Sequence, residues 1–297
     1  MRVATSQLYN RPASLMTRLT TEADRTQLQI ATGKKLLAPS DDAGAYLRLQ
    51  GISRQTADDS AWAANIDMAQ GLLAQTDTTL ESVEAQLTRA LELATQASNG
   101  TLSDTNRAAI GKELESIRDT LFGLANTKDV RGQPLFGGAT GDVAYVRNSD
   151  GSITFAGTGE PSGIPIGEGV SIQGTVTGAR AFASGGTDMF AVLGDFAAAL
   201  AAGGDVKAAG NAALTGIKGA QDSVTLARAS AGARSARLEL DTDRLTTASE
   251  AREDVRSALE DTDITTAVTE LQKTLTILQA TQASFSKLSG LSLFDYL

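Results

Sequence analysis

Apolar residues recur every seven positions over three long tracts. One runs through Ile66, Leu73, Leu80, Leu87 and Ala94, with Ala69, Thr76, Val83, Ala90 and Ala97 three positions further on. Alternating three- and four-residue spacing places such residues on one face of a helix, the pattern of helices packed side by side. A shorter tract follows the turn Ser98-Asn99-Gly100-Thr101: Ser103 is positioned as an N-cap, and Ile110, Leu114, Ile117, Leu121 and Leu124 continue the spacing. The third tract holds Ile217, Val224, Ala231, Leu238, Leu245 and Leu259 in one register, interrupted by Arg252. The tracts predict an antiparallel bundle.

The pattern changes between Val130 and Gly186, where glycine becomes frequent and the helical period is lost. Val143–Val146, Ser152–Phe155 and Val170–Ile172 read as short strands, the first two joined as a hairpin by Asn148-Ser149-Asp150-Gly151. A helix from about Asp188 to Ala202 then leads through Gly203-Gly204-Asp205 back to the bundle.

Both ends of the chain are amphipathic. Leu8, Leu15, Leu19, Ala23, Thr26 and Ile30 form a weak stripe that ends at Gly33. Towards the other end Ile264, Leu271, Leu278 and Phe285 share one register, Val268 and Leu275 the neighbouring one, and the stripe runs on through Leu288, Leu291, Leu293, Phe294 and Leu297. Exposed apolar stripes invite association, and terminal segments fray unless something binds them. Other subunits are therefore expected to complete these segments. The predicted architecture is mainly α: an elongated antiparallel bundle built from both chain ends, carrying a small β-rich inserted outer domain. Residues 1–40 with 262–297 form the terminal helices, 41–130 with 205–261 the rod, and 131–204 the insertion.

Composition narrows the function. The 297 residues include 26 Lys and Arg against 35 Asp and Glu, for a net charge of −9, and no basic stripe is set apart to bind a phosphate backbone. Nucleic acid is not an expected partner. The absence of both Cys and His removes disulfides, thiol and imidazole nucleophiles, histidine bases and the usual zinc sites. The apolar run Phe196–Ala202 is far too short to cross a bilayer, which takes about 20 residues. Arg2, Arg11 and Arg18, with no acidic residue before Glu22, superficially resemble a transit peptide, but an ordinary amphipathic helix fits better. No catalytic, cofactor or metal site is expected.

The local motifs have plain readings. Aligning Gly151 with the glycine of a calcium loop puts Val146 at the first ligand position and Gly157 where Glu is required, so the segment is a hairpin turn. Gly157-Thr158-Gly159 lacks the third glycine of a dinucleotide fingerprint and is a loop. Asp41-Asp42 and Asp261/Asp263 precede apolar periodic runs, where carboxylates cap helices more often than they hold magnesium. Lys34-Lys35 reads as a solvated helix C-terminus, and Asn99-Gly100-Thr101 as a turn rather than a glycosylation site.

Four patches together resemble one family. Ala31-Thr32-Gly33-Lys34-Lys35-Leu36-Leu37-Ala38-Pro39-Ser40-Asp41-Asp42 is similar to the "STGKR…PSDD" signature of bacterial hook-associated protein 3, the FlgL family. Ser98–Asp104 resembles that family's turn between bundle helices. Leu124-Ala125-Asn126-Thr127, Gly132 and Leu135-Phe136-Gly137-Gly138 resemble its entry to the outer domain, and Gly290-Leu291-Ser292-Leu293-Phe294 its C-terminus. The likeness covers about two thirds of the chain and does not reach the β insertion. Flagellin is the related alternative: Lys34-Lys35 and Pro39-Ser40 favour the junction protein, whereas Ala43-Gly44 leans towards flagellin.

The resemblance implies a structural adaptor exported unfolded through the flagellar type III channel. It implies a ring of about eleven copies at the hook–filament junction, between hook-associated protein 1 and flagellin, with an export chaperone bound before secretion. Its assembly residues would be Leu8, Leu15, Leu19, Ile30, Ile264, Val268, Leu271, Leu275, Leu278, Phe285, Leu288, Leu293 and Phe294. A glycan-binding insertion is the rival reading, with only Tyr145 and Phe155 as stacking surfaces, and a carboxylate-only enzyme ranks below it.

Overall fold

The computed structural model describes residues 2–99, 102–139, 141–184 and 186–290. In chain order it contains α1 (Arg2–Thr32), α2 (Ala43–Ala97), α3 (Asp104–Ala125), β1 (Tyr145–Arg147), β2 (Ile153–Phe155), β3 (Gly163–Gly167) and β4 (Val170–Gln173). These are followed by α4 (Gly178–Ala181), β5 (Ala183–Ser184), β6 (Thr187–Asp188), α5 (Met189–Ala202), α6 (Lys207–Glu260) and α7 (Ile264–Gly290). The described residues pair as three two-stranded antiparallel sheets, β1–β2, β3–β4 and β5–β6. The chain divides into two compact units, one formed by the residues up to Asp58 with those from Thr247 on, the other by Asp59–Thr246. Helices α2 and α6 contribute to both.

The larger unit is built on the register read from the sequence. Every apolar position of that pattern from Ile66 to Ala97 is at most 2% exposed in α2, and Thr76 is fully buried among them. Thr76 avoids an unsatisfied donor by giving its hydroxyl proton to the Leu72 carbonyl of its own helix (2.8 Å). Arg228 of α6 reaches both Asp77 (2.9 Å) and Glu84 (2.7 Å), and Gln221 reaches Thr88, so α6 descends as α2 ascends. Ser103 caps α3 as expected, accepting from the Asn106 N–H at 3.3 Å. Gly100 and Thr101 of the preceding turn lie outside the described residues.

The β-rich insertion shares the bundle's core. Asn126, just past α3, accepts from the N–H groups of Ala144 (3.0 Å) and Tyr145 (2.9 Å) and donates to the Tyr145 carbonyl, which fastens the first hairpin to the helix end. Tyr145 is buried among aromatic rings, 5.0 Å from Phe190 and 5.4 Å from Phe155 between centroids. Gly178 is needed here because a Cβ at that position would lie 2.6 Å from the Tyr145 ring. The expected hairpin is present as β1–β2, and the expected third strand as β4. Its partner β3, Gly-Ile-Pro-Ile-Gly, was not anticipated, since Gly and Pro are depleted in strands.

Candidate assembly interface

The smaller unit is organised by α1 and α7, which pack against each other. Gly33, at φ +71°, ends α1 in the left-handed conformation that favours glycine. The chain then pairs with the segment that precedes α7: the Lys35 N–H donates to the Glu260 carbonyl (2.7 Å) and the Thr262 N–H to the Gly33 carbonyl (2.8 Å). Since the end of α1 meets the start of α7, the two helices run antiparallel.

This joint adds to one expectation and corrects another. Lys34 and Lys35 are exposed at the end of α1, as expected, but each also has a partner in the chain. Lys34 forms an ion pair with Glu260, and the Lys35 ammonium donates to the Ala258 carbonyl at 2.6 Å. The aspartates before α2 do not both cap a helix. Asp42 does, accepting from the Ala45 N–H at 2.9 Å. Asp41 instead gathers the loop, accepting from the N–H groups of Leu37 (2.9 Å) and Ala38 (3.0 Å), and it meets Arg25 of α1 at 3.1 Å. On the other side Asp263 caps α7 through Thr265 and Thr266, whereas Asp261 accepts from the Ser257 hydroxyl.

Donors that favour the ionised carboxylate depress three of these pKa values. Asp41 is lowered by the Leu37 and Ala38 N–H groups and then by the Arg25 charge. Glu260 is lowered chiefly by Lys34, and Asp263 by the Thr266 hydroxyl and N–H.

Burial traces the seam between the helices. On α1 it follows Met16, Leu19, Ala23, Thr26 and Ile30; on α7 it follows Ala267, Leu271, Thr274, Leu278, Thr281 and Phe285. Both sets alternate three- and four-residue steps, the spacing of a two-helix coil. Ala23, Thr26 and Ala267 are buried and the rest are half-buried. Thr26 and Thr281 return their hydroxyl protons to the Glu22 and Ile277 carbonyls, so a threonine sits in the seam without an unmet donor.

The thirteen residues named from sequence therefore separate. Leu19, Ile30, Leu271, Leu278 and Phe285 lie in the seam within one chain. Leu15, Val268 and Leu275 are exposed on its flanks, at 43%, 37% and 42%, and Ile264, in line with the seam but at the first turn of α7, is exposed at 45%. The side chains of Leu8 and Leu288, and Leu293 and Phe294 altogether, lie outside the described residues. Sequence reasoning missed Leu28 and Ile277, which are also exposed, at 52% and 42%. Both fall outside the two registers traced on these helices, and only the position of the seam picks them out.

Both ends of the chain match described families. Residues 3–140 match the bacterial flagellin N-terminal helical region and residues 214–297 the bacterial flagellin C-terminal helical region. The chain is 28% identical to flagellar hook-associated protein 3 of Escherichia coli, across 99% of both chains. It is 34% identical to flagellar hook-associated protein 3 of Salmonella typhimurium over 148 residues, which is 48% of this chain and 45% of that one. A solved structure of a putative flagellar hook-associated protein from Vibrio parahaemolyticus shares the fold, with a TM-score of 0.69 and 23% identity over 74% of this chain and 100% of that one.

An antiparallel terminal coil joined to a helical bundle, matched at both ends by flagellin regions, places the chain in the bacterial flagellin superfamily. Within that superfamily it belongs to the hook-associated protein 3, or FlgL, family. It is a structural component of the flagellum rather than an enzyme.

Proposed function

We propose that this chain is the adaptor of the hook–filament junction. About eleven copies form a ring between hook-associated protein 1 on the hook side and flagellin on the distal side, after export as an unfolded, chaperone-bound chain. The observation that carries the assembly step is the apolar surface left outside the α1–α7 seam, Leu15, Val268, Leu275 and Ile277 on its flanks and Leu28 on the outer face of α1. A two-helix coil can bury only the stripe between its helices. Neighbouring coils would cover the flanks, so each copy gains stability by joining the ring. The junction position, rather than the filament, is supported by Lys34-Lys35 and Pro39-Ser40 in the loop where α1, α2 and α7 meet.

The test is deletion of the gene in its own bacterium. Cells without the adaptor should build hooks but release flagellin into the medium, and the unaltered gene should restore filaments. Flagellin absent from both filament and medium would support the second reading, a filament subunit, which Ala43-Gly44 favours.

A further inference from the structure

The apolar core of the larger unit is not continuous along its length. One set of buried residues occupies α2 from Leu72 to Ala97 and α6 up to Ala227. A second contains Ile66, Ala69 and Leu73 of α2 with Ala231, Leu238 and Leu245 of α6. Among the described residues Ile164 of β3 alone packs against both. Where the two sets meet, the α2 register passes from Leu73 through a threonine, Thr76, before it reaches Leu80.

Each long helix carries a glycine at this level. Arg228 of α6 meets Asp77 of α2 at 2.9 Å. Because the helices are antiparallel, Gly71 and Gly232 lie on the same side of that contact, and they stand within about one helical turn of each other along the bundle. Neither is required by packing, since a Cβ at either position would have no atom within 4 Å. The glycines at which α5 meets α3 and α6 are different: a Cβ at Gly111, Gly194 or Gly216 would lie 3.2, 2.7 or 2.6 Å from Ala197, Arg118 or Val192. Glycine inside a helix weakens it relative to alanine and is one of the places where helices bend.

The insertion divides in the same way. Leu135 and Phe136 belong to the first core, and their loop is held there by Gln75, which donates to the Lys128 carbonyl at 3.0 Å. The β3–β4 hairpin belongs to the second core, in which Ile166 and Ile172 are buried. Asn65 donates to its Pro165 carbonyl at 2.8 Å, and Arg234 to the carbonyls of Gln173 and Thr175 at 2.9 Å. Between loop and hairpin lies a cleft of about 580 Å³ lined by Met68 and Leu72 of α2.

We propose that the larger unit has a hinge at Gly71 and Gly232. The two cores move as bodies about it, and the cleft beside Met68 and Leu72 widens and narrows as they do. Ile164 limits the swing, because its apolar side chain keeps contact with both cores over a small range only. The hinge is a property of the free chain and does not depend on the junction reading.

The test is pulsed electron–electron double resonance on the purified full chain, which has no cysteine to compete with introduced labels. Val130→Cys with Glu168→Cys puts exposed spin labels on the loop and on the hairpin tip, across the cleft. Val130→Cys with Ala85→Cys puts both labels on the first core and controls for motion of the loop label itself. The distance distribution of the first pair should be roughly twice as broad as that of the second. Gly71→Ala and Gly232→Ala together should narrow the first distribution to the width of the second and leave the second unchanged. Melting curves serve as the folding control, and the double variant should be at least as stable as wild type because nothing obstructs the added methyl groups. The proposal is overturned if the first pair is as narrow as the control in the unaltered background, or if the two substitutions leave its distribution unchanged.

Discussion

Arg25 of α1 and Asp41 of the following loop meet at 3.1 Å, while the same carboxylate accepts from the Leu37 and Ala38 N–H groups. One side chain thus holds a ten-residue loop in shape and ties it back to the terminal helix. Lys34 with Glu260 does the equivalent across the chain, joining α1 to the segment before α7.

The joint should be acid-labile. Asp41, Glu260 and Asp263 all have pKa values below their ordinary ones in the folded chain. Their contribution is complete above the unfolded values, about 3.9 for Asp and 4.3 for Glu, and is lost as pH falls through the lower folded values. Amide protection across residues 20–42 and 256–270, taken relative to the intrinsic exchange rate at each pH, should therefore fall below about pH 4, while Leu80 and Leu87 in α2 stay protected. Equal protection at pH 7 and pH 3 in the joint would contradict this.

The seam and its flanks should respond differently to charge. Val268→Asp or Leu275→Asp alters an exposed position and should change the monomer's stability by less than about 0.5 kcal/mol while removing assembly. Leu278→Asp and Phe285→Asp fall in the seam, so they should also reduce the helical circular dichroism of the monomer. Both pairs should leave the larger unit folded. Filament counts and circular dichroism on the same variants separate the two effects.

Arg228 clamps α6 to α2 through Asp77 and Glu84, and these neighbours hold its guanidinium pKa above the ordinary value. Its partners are more than a third exposed, which screens the attraction. Arg228→Met should cost about 1 kcal/mol, a fall in melting temperature of roughly 2–4 °C. The difference from wild type should shrink in 0.5 M salt.

Packing in the larger unit is less forgiving. Leu87→Ala empties a fully buried seam position and should cost about 2–5 kcal/mol. Gly178→Ala drives a methyl group against the Tyr145 ring and should cost about 1–3 kcal/mol. Denaturant melts of residues 59–246, which carry their own core, should be cooperative and should report both losses.

What was readable in the sequence follows from what is local. The α2 register was legible because the positions from Ile66 to Ala97 face the core without interruption, and Ser103 and Asp263 because a cap acts within three residues. Lys34 and Lys35 were rightly read as solvated, but their partners, Glu260 and Ala258, were not legible because they lie more than 220 residues away. Asp41 was misread because its bonds run back to Leu37 and Ala38, against the direction of a cap. On α7 two neighbouring registers are equally apolar, and only the position of α1 decides that Leu271 and Leu278 are covered while Val268 and Leu275 are not. Ile264 shares the register of Leu271 but stays exposed at the first turn of α7.

The central claim, a junction adaptor, is tested most directly by immunogold electron microscopy of intact flagella, using antibody against residues 131–204. The account predicts a single band of label where hook meets filament. Label along the whole filament would contradict it and make the chain a filament subunit.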